Sequence, residues 1–361
     1  MAQINKSRSF YWLRKKTSIL VQVSHFTRWR DWGPGKVTLL CSLCFYIATA
    51  YGLSFGTFAL TFMLFLIFAS AQSAAGFVLN DWGDRDLDRK QGKPNVFNVR
   101  PYREGVVGLT VMLGVALATG LPFITRPAFV LFWGVWMAAA AAYSLEPLRF
   151  KTRGLPGLAV SFTAQWSLPV FIAFAAFERL GSLDMWGLAL ALTVSGATLE
   201  IAHQRYDRLR DASAHAHTFA VGLSTKIDRT YAVAVVLDKL AIGLVVALVF
   251  WDLAAMGRAW SFTLAGGVSV VYLVLLMTTL PTALRAIGGS TIQDPYYSEG
   301  RSAAQLLHQT LPNFVLPMTL VFAAMLLMPQ YGIVLVLFGI WRIILGGADW
   351  RWPLRIIQKW R

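Results

Sequence analysis

The chain has 361 residues, of which 56% are hydrophobic and only 14% are charged. Soluble domains carry roughly 25% charged residues, so this composition excludes an ordinary soluble protein and indicates an integral membrane protein. The 33 basic and 18 acidic residues give a formal net charge of +15. We attribute this excess to basic loops at one membrane face and to attraction by anionic lipid, and not to nucleic-acid binding.

Residues 1–36 form a basic N-terminal arm. The opening segment, MAQINKSRSFYWLRKK, has no apolar core followed by small residues, so we expect no cleavable signal peptide. Its mixture of basic and aromatic residues is typical of a segment that lies at the membrane interface. We divide the chain into this arm, a membrane domain over 37–346, and a basic, Trp-rich C-terminal tail over 347–361.

Apolar segments of about the length that crosses a bilayer recur through the membrane domain. They are Val37–Phe55, Thr57–Leu79, Gly105–Leu121, Ala128–Tyr143, Leu158–Phe177, Met185–Ile201, Tyr231–Trp251, Ser261–Leu280, Phe314–Met328 and Tyr331–Leu345. Because lipid offers no partner for backbone polar groups, such spans must be helices. The predicted fold is therefore all-α, a polytopic transmembrane bundle of nine to ten helices, with the last span interrupted by Arg342.

The first span contains a C-x-x-C spacing at Cys41 and Cys44. Within an apolar helix, buried and unreactive thiols are the expected interpretation, and neither redox chemistry nor zinc binding is predicted.

Every second connection after the N-terminal arm is long and basic. These connections are Asp81–Glu104, Ser144–Pro156, Gln204–Thr230 and Arg285–Asn313. The excess of lysine and arginine places them, with the N-terminus, on the cytoplasmic side. The basic tail also reads as cytoplasmic, which requires an even number of spans and favours ten helices over nine.

A first acidic stripe directly follows the second span. On a helix, Asp81, Asp84 and Asp88 lie at i, i+3 and i+7 with Asn80 beside them, whereas Asp86 points away. Carboxylates so close together oppose one another's ionisation unless a cation neutralises them. Magnesium is the natural candidate, because it prefers oxygen ligands and is commonly held by one or two carboxylates together with substrate phosphates.

A second polar stripe lies at the cytoplasmic end of the sixth span. If this segment is helical, Glu200, His203, Gln204, Asp207 and Asp211 lie on one face. Lipid would penalise such a face by several kcal/mol, so we expect it to line a cavity or to meet other helices. Two stripes on the same predicted side suggest two metal-binding half-sites that face each other.

Both stripes have a simpler interpretation, as charged helix ends in solvent beside basic neighbours. Those neighbours are Arg85, Arg89 and Lys90 for the first stripe and Arg205, Arg208 and Arg210 for the second. This alternative explains the charge but not the repetition.

A short basic loop follows the fourth span on the same predicted face. It contains Arg149, Lys151 and Arg153, which are suited to hold phosphate oxygens. Together with two carboxylate stripes, the loop completes the groups needed to bind a magnesium diphosphate.

These three segments resemble the UbiA-type superfamily of intramembrane prenyltransferases. The first motif of that superfamily, N-D-x-x-D-x-x-x-D, is matched by Asn80, Asp81, Asp84 and Asp88. The second, D-x-x-x-D, is matched by Asp207 and Asp211, and the Y-S-x-P-P-x-x-x-K loop is matched by Tyr143, Ser144, Pro147 and Lys151. The motifs follow the second, fourth and sixth spans, as in that superfamily.

The resemblance implies a helical bundle around a central cavity, capped by the cytoplasmic motif loops. It also implies magnesium-dependent ionisation of an allylic polyprenyl diphosphate and transfer of the prenyl group to an aromatic or quinone-like acceptor. The implied metal ligands are Asp81, Asp84, Asp88, Asp207 and Asp211. The implied catalytic residues are Asp84, Asp207, Lys151 and His203, and the implied substrate-binding residues are Asn80, Arg149, Lys151, Tyr143, Gln204 and Arg153.

The sequence departs from the superfamily pattern at several positions. Glu146 replaces the first proline of the loop motif, and Lys93-Pro94-Asn95 stands where aromatic-acid transferases usually have an Arg-Thr pair. His215 and His217 follow the second motif, either as an acceptor-specific base or extra ligands, or as solvated loop residues. The loop over 285–313 matches no motif and is either an acceptor lid or an insertion.

Two other functions remain open from the sequence. Within the same superfamily, the protein is alternatively a terpene cyclase or a transferase to a non-aromatic acceptor. A cation-coupled transporter is the other class, but transporter sites usually lie near the bilayer midplane on broken helices, whereas both acidic stripes here lie at span ends.

Overall fold

The computed structural model describes residues 19–93, 95–213, 216–289, 311, 315–334 and 336–337. Within these ranges the chain is helical, and its β structure is limited to one isolated parallel bridge between Gly154 and Thr218. The predicted all-α fold is confirmed. The tail over 347–361, most of the loop over 285–313 and His215 lie outside the described residues.

The α-helices, in chain order, are α1 (Ile19–Phe26), α2 (Trp29–Ala50), α3 (Phe55–Gln91), α4 (Val96–Val99), α5 (Tyr102–Gly120), α6 (Pro127–Ser144), α7 (Leu155–Phe162), α8 (Leu168–Ala176), α9 (Leu183–Ser213), α10 (Phe219–Leu223), α11 (Ile227–Ala255), α12 (Ala259–Ile287) and α13 (Leu316–Leu327). A π-helical segment, Thr163–Ser167, joins α7 to α8, and a short 3-10 turn, Phe150–Thr152, lies between α6 and α7.

Seven helical segments among the described residues are long and apolar enough to cross a membrane. Two shorter apolar helices, Gly35–Ala50 and Leu316–Leu327, correspond to the predicted first and ninth spans. The protein is therefore a multi-pass membrane protein. Of the predicted tenth span, only residues 331–334 and 336–337 are described, and they are helical.

The boundary predicted between the first two spans is wrong. The helix of the first span, α2, ends at Ala50 and not at Phe55, because Gly52 adopts a left-handed φ of 58° in the turn that follows. Ser54 then caps α3 by accepting a hydrogen bond from the Thr57 backbone N–H at 3.4 Å. Phe55 thus begins α3 and does not end α2.

Both acidic stripes lie on helices that are longer than the bilayer is thick. Helix α3 has 37 residues and α9 has 31, about 55 and 46 Å at 1.5 Å per residue. A hydrocarbon core is about 30 Å thick, so each helix spans it and continues beyond. The predicted helical conformation of both motifs is confirmed, and the two motifs stand on extensions of spanning helices.

The end of the bundle away from the motifs is packed with aromatic side chains. Phe58 stacks on Phe62 at a ring-centroid distance of 5.2 Å, and Tyr331 lies 4.7 Å from Phe58. The Tyr331 hydroxyl donates to the Leu53 carbonyl at 3.0 Å. This packing fixes the start of α3 against the segment that contains Tyr331. Cys41 and Cys44 are buried free thiols in this apolar region, as predicted.

Candidate active site

The carboxylates at the end of α3 point in two directions. Lys151 Nζ donates to Asp84 Oδ1, and Arg149 Nη2 lies 3.5 Å from the same oxygen. Asn80, one turn earlier, accepts from Ser144 Oγ at 3.2 Å and from Lys151 Nζ at 3.4 Å. Asn80 and Asp84 therefore form the face that meets the basic loop.

Asp81 faces the N-terminal helices. Its side chain is 1% exposed and its Oδ1 lies 2.7 Å from Arg28 Nη1. Among the described residues, no donor hydrogen-bonds its buried Oδ2. The structure thus separates Asp81 from the Asn80–Asp84 face, although the sequence pattern placed all of them on one stripe.

Asn95 holds the end of α3 against the segment that follows it. Its side-chain amide donates to the Asp81 carbonyl at 2.7 Å and to Asp88 Oδ2 at 2.8 Å. Its Oδ1 accepts from the Phe97 backbone N–H at 2.9 Å and so caps α4. Asp88 is therefore oriented by a buried amide. Asp86, in contrast, is 66% exposed and pairs with Arg85, as its predicted outward orientation requires.

The basic loop approaches α3 closely because Gly83 has no side chain. A Cβ at Gly83 would lie 2.3 Å from the Ser144 carbonyl oxygen, so any other residue would push the end of α6 away. This contact brings Ser144 to Asn80 and Lys151 to Asp84. Arg149 adopts a left-handed φ of 35° at the turn that sends the loop back towards α3.

Lys151 is nearly enclosed, with a side chain 9% exposed. Burial lowers the pKa of its ammonium group, and the Asp84 carboxylate partly opposes that shift. A charged lysine in this position depends on an anion beside it. The geometry therefore suits either Asp84 or a phosphate oxygen as its partner.

The end of α9 carries the second acidic pair. Asp207 Oδ2 lies 3.6 Å from Lys93 Nζ and 4.0 Å from His203 Nε2, and its Oδ1 accepts from Arg210 at 3.1 Å. The charge of Lys93 also acts on the carboxylates of Asp88 and Asp211. One lysine from the loop after α3 thus lies between the two acidic helix ends.

Two of the predicted substrate-binding residues contact neighbouring segments of the protein. Gln204 is buried and its Oε1 accepts from the Ala220 backbone N–H at 3.4 Å, which ties α9 to α10. Arg153 donates to the Pro147 carbonyl of its own loop and lies over the Phe150 ring. Tyr143, also a predicted substrate-binding residue, is partly buried near the end of α6.

The loop after the second motif is joined to the basic loop through the backbone. The Gly154 N–H donates to the His217 carbonyl at 2.8 Å, beside the bridge between Gly154 and Thr218. His217 therefore contributes its backbone to this junction. The segment after α9 and the basic loop are held as one unit at the rim of the site.

The residues present suit magnesium, although they do not form a complete cage. No group of three or more His, Cys, Asp or Glu side chains within the described ranges lies close enough to hold an ion alone. The physical reason is that lysines and arginines already pair with the predicted ligands. Magnesium needs only one or two carboxylates when phosphates supply further oxygens, and Asp81 Oδ2 is a buried acceptor that lacks a hydrogen-bond donor.

Sequence reasoning missed three residues that organise this site. Lys93 and Asn95 were read only as departures from an expected motif, and Arg28 only as part of a basic arm. A search for buried amides and cations immediately after the first motif would have found Lys93 and Asn95. Arg28 lies 53 residues from Asp81 in the chain, so no local pattern reveals it.

Comparison with known proteins identifies the family and the fold. A sequence model described as the UbiA prenyltransferase family matches residues 38–286. A curated relative, 4-hydroxybenzoate octaprenyltransferase of Chromohalobacter salexigens, is 29% identical over 212 residues, which cover 56% of this chain and 69% of that protein.

Two solved structures share the fold. A UbiA homolog from Archaeoglobus fulgidus bound to GPP and Mg²⁺ is 17% identical, with 85% of this chain and 99% of that chain covered and a TM-score of 0.51. A digeranylgeranylglyceryl phosphate synthase is 13% identical, with 84% and 98% covered and a TM-score of 0.51. The family model covers well over half of the sequence, and the chain therefore belongs to the UbiA prenyltransferase family, as an integral membrane prenyltransferase.

Proposed function

We propose that the protein is a magnesium-dependent transferase that moves the prenyl group of an allylic polyprenyl diphosphate to an aromatic or quinone-like acceptor. The observation that carries this proposal is the meeting of two acidic helix ends with two lysines. Lys151 contacts Asp84, and Lys93 lies 3.6 Å from Asp207. This set of charges suits a diphosphate held between metal-bound carboxylates and ammonium groups.

Magnesium would be held by carboxylates of both helix ends, drawn from Asp84, Asp88, Asp207 and Asp211, with Asp81 recruited if Arg28 turns to the diphosphate. When bound, the metal supplies Lewis-acid stabilisation of the leaving diphosphate. His203 beside Asp207, and Asn80 beside Asp84, support these ligands. The similarity to a homolog solved with GPP and Mg²⁺ supports this assignment.

The chain's own residues would act on the diphosphate through charge. Lys151 and Arg149 already converge on Asp84 Oδ1, and each would turn to a phosphate oxygen when the carboxylate takes a metal. Positive groups fixed at the leaving group stabilise the charge that develops as the carbon–oxygen bond breaks. Positioned cations therefore lower the barrier to ionisation.

The prenyl tail would lie in the apolar interior and the diphosphate at the cytoplasmic face. The basic connections support this orientation. The named 4-hydroxybenzoate octaprenyltransferase relative supports an aromatic acceptor.

The test is product analysis with purified protein, magnesium, a series of prenyl diphosphates and a panel of phenolic acceptors. We expect a prenylated acceptor, with inorganic diphosphate released in equal amount. Chelation of magnesium with EDTA should stop the reaction, and added magnesium should restore it. Release of diphosphate without an acceptor, together with a cyclic hydrocarbon product, would establish the cyclase alternative instead.

A further inference from the structure

A second polar cluster lies on α9, inward of the acidic motif. Gln165 Nε2 donates to Glu200 Oε1 at 3.2 Å and to Ser161 Oγ at 2.9 Å. Glu200 precedes Asp207 by seven residues on the same helix, about 10 Å along its axis. The cluster therefore lies deeper in the bundle than the proposed diphosphate site.

The position of Gln165 depends on an irregular segment. It lies in the π-helical turn Thr163–Ser167 that interrupts the span between α7 and α8. Trp136 Nε1 donates to the Ala164 carbonyl of this turn at 2.9 Å. Single π-helical turns within α-helices occur often at functional sites, and this one places an amide against a carboxylate.

The members of the cluster keep some accessible surface. Glu200, Gln165 and Tyr143 are each only partly buried, and a carboxylate exposed to lipid would be strongly disfavoured. The accessible surface of Glu200 therefore faces a polar interior space and not the bilayer.

Basic and aromatic groups balance the charge of Glu200. Lys36, on α2, is close enough for its charge to interact with that of Glu200, and its Nζ lies 5.8 Å from the centroid of the Trp166 ring. Gly196 makes room for this ring, since a Cβ there would lie 2.3 Å from Trp166 Cγ. Lys36 and Trp166 thus form a fixed wall beside the carboxylate.

Tyr143 connects this cluster to the acidic motifs. Its phenol lies within electrostatic range of Glu200, and also of Asp84 and Asp211. The next residue, Ser144, hydrogen-bonds Asn80 of the first motif. A small molecule held at Glu200 would therefore lie next to the reactive end of a prenyl diphosphate held at the motifs.

We propose that Glu200, with Gln165 and Tyr143 around it, binds the acceptor and receives the proton of an acceptor hydroxyl group. This proposal rests on the prenyl-transfer function proposed above. It restricts the acceptor to molecules with a phenolic or enolic hydroxyl next to a nucleophilic carbon.

The proposed step forms one carbon–carbon bond and breaks one carbon–oxygen bond. The hydroxyl proton passes to Glu200, and the neighbouring acceptor carbon forms the new bond to the first prenyl carbon. The carbon–oxygen bond of the prenyl diphosphate breaks, and its electron pair leaves on the diphosphate. The resulting dienone returns to the phenol by moving its ring proton to oxygen, and Glu200 then releases the proton that it received.

The experiment compares wild type, Glu200→Gln and Glu200→Asp with a phenolic acceptor and with its O-methyl ether. Glu104→Gln, at an exposed carboxylate, is the matched control. We expect Glu200→Gln to lower kcat by about 100-fold, the range typical of general acid–base catalysis, while KM for the prenyl diphosphate stays within about twofold. Glu200→Asp should recover part of the rate.

The methyl ether separates recognition from a structural role. Wild type should prefer the free phenol to its ether by a large factor, and Glu200→Gln should lose most of that preference. The assignment of Glu200 is overturned if Glu200→Gln keeps the wild-type preference for the phenol. It is also overturned if kcat/KM falls equally for the phenol and for its ether while Tm is lowered. If wild type itself prenylates no phenolic acceptor, the proposed function is overturned and the role of Glu200 with it, whereas loss of the Glu200 effect alone overturns only the role of Glu200.

Discussion

The acidic ends of α3 and α9 carry the same kind of charge but hold it differently. At α3, Asp84 and Lys151 have side chains 15% and 9% exposed, and Asp88 is fixed by the buried amide of Asn95. At α9, Asp207 is joined to Lys93, Arg210 and His203. The side chains of Arg210 and His203 are about half exposed.

This difference separates a preformed half-site from an adjustable one. Buried, hydrogen-bonded groups keep their orientation, whereas partly exposed ion pairs contribute little stability and exchange partners readily. In the proposed function, the α3 end would therefore define where a diphosphate binds, and the α9 end would adjust to it. Lys93 belongs to the α3 side of the chain but contacts the α9 side, so it couples the two.

The largest expected effect is at Asp84. Asp84→Asn should lower prenyl transfer by about 100-fold or more, because it removes a proposed metal ligand and misplaces Lys151. It should also lower the free energy of unfolding by about 1–3 kcal/mol, since it leaves a nearly buried ammonium without its anion. Activity and thermal unfolding in detergent measure both effects. A variant with wild-type activity contradicts the two-half-site arrangement.

Asp207→Asn should lower activity to a similar degree but stability far less. Its partners are more exposed, so the expected change in unfolding free energy is below about 1 kcal/mol. Activity and thermal unfolding in detergent measure the two changes. Equal destabilisation by both variants would remove the distinction between the preformed and the adjustable half-site.

Gly83→Ala tests the close approach of α3 to the basic loop. The new Cβ would meet the Ser144 carbonyl oxygen at 2.3 Å and push Lys151 away from Asp84. Displacement of about 1 Å at a site costs up to about 100-fold in rate, so we expect a fall of about 10- to 100-fold in kcat/KM. Gly134→Ala, where a Cβ meets nothing within 4 Å, is the control and should remain active.

Lys93→Gln should weaken the coupling between the half-sites. The variant would lose one charge-assisted contact between Lys93 and the diphosphate, worth roughly 1.5 kcal/mol. KM for the prenyl diphosphate should therefore rise by about tenfold, while Tm changes little. Lys90→Gln, at an exposed lysine on the same helix end, should leave KM unchanged. Equal behaviour of the two variants would show that Lys93 acts only through general surface charge.

Ser144→Ala should have the smallest effect. It removes one hydrogen bond of 3.2 Å to Asn80, worth about 1 kcal/mol, so kcat/KM should fall by less than about tenfold. Steady-state kinetics measure this. A larger loss would mean that Ser144 contacts the substrate directly.

The sequence predicted the spans and both acidic stripes because these depend on local periodicity. Apolar length gives the spans, and a spacing of three and four residues gives the stripes. It did not predict that Asp81 turns to Arg28, nor that Gln204 binds α10, because those contacts join distant segments whose packing no local pattern specifies. The end of α2 at Ala50 was missed because the turn that follows it is nearly as apolar as the helices.

The uninterrupted run of α3 from the aromatic core to the acidic motif has a consequence for changes in chain length. Each residue of an α-helix advances the rotation by about 100°. A single insertion between Phe62 and Asn80 would therefore rotate the motif away from Lys151 while leaving its composition intact. A seven-residue insertion would nearly restore the angle but raise the motif by about 10 Å. The distance and angle between the core and Asp84 are thus set together, by the number of residues in one helix.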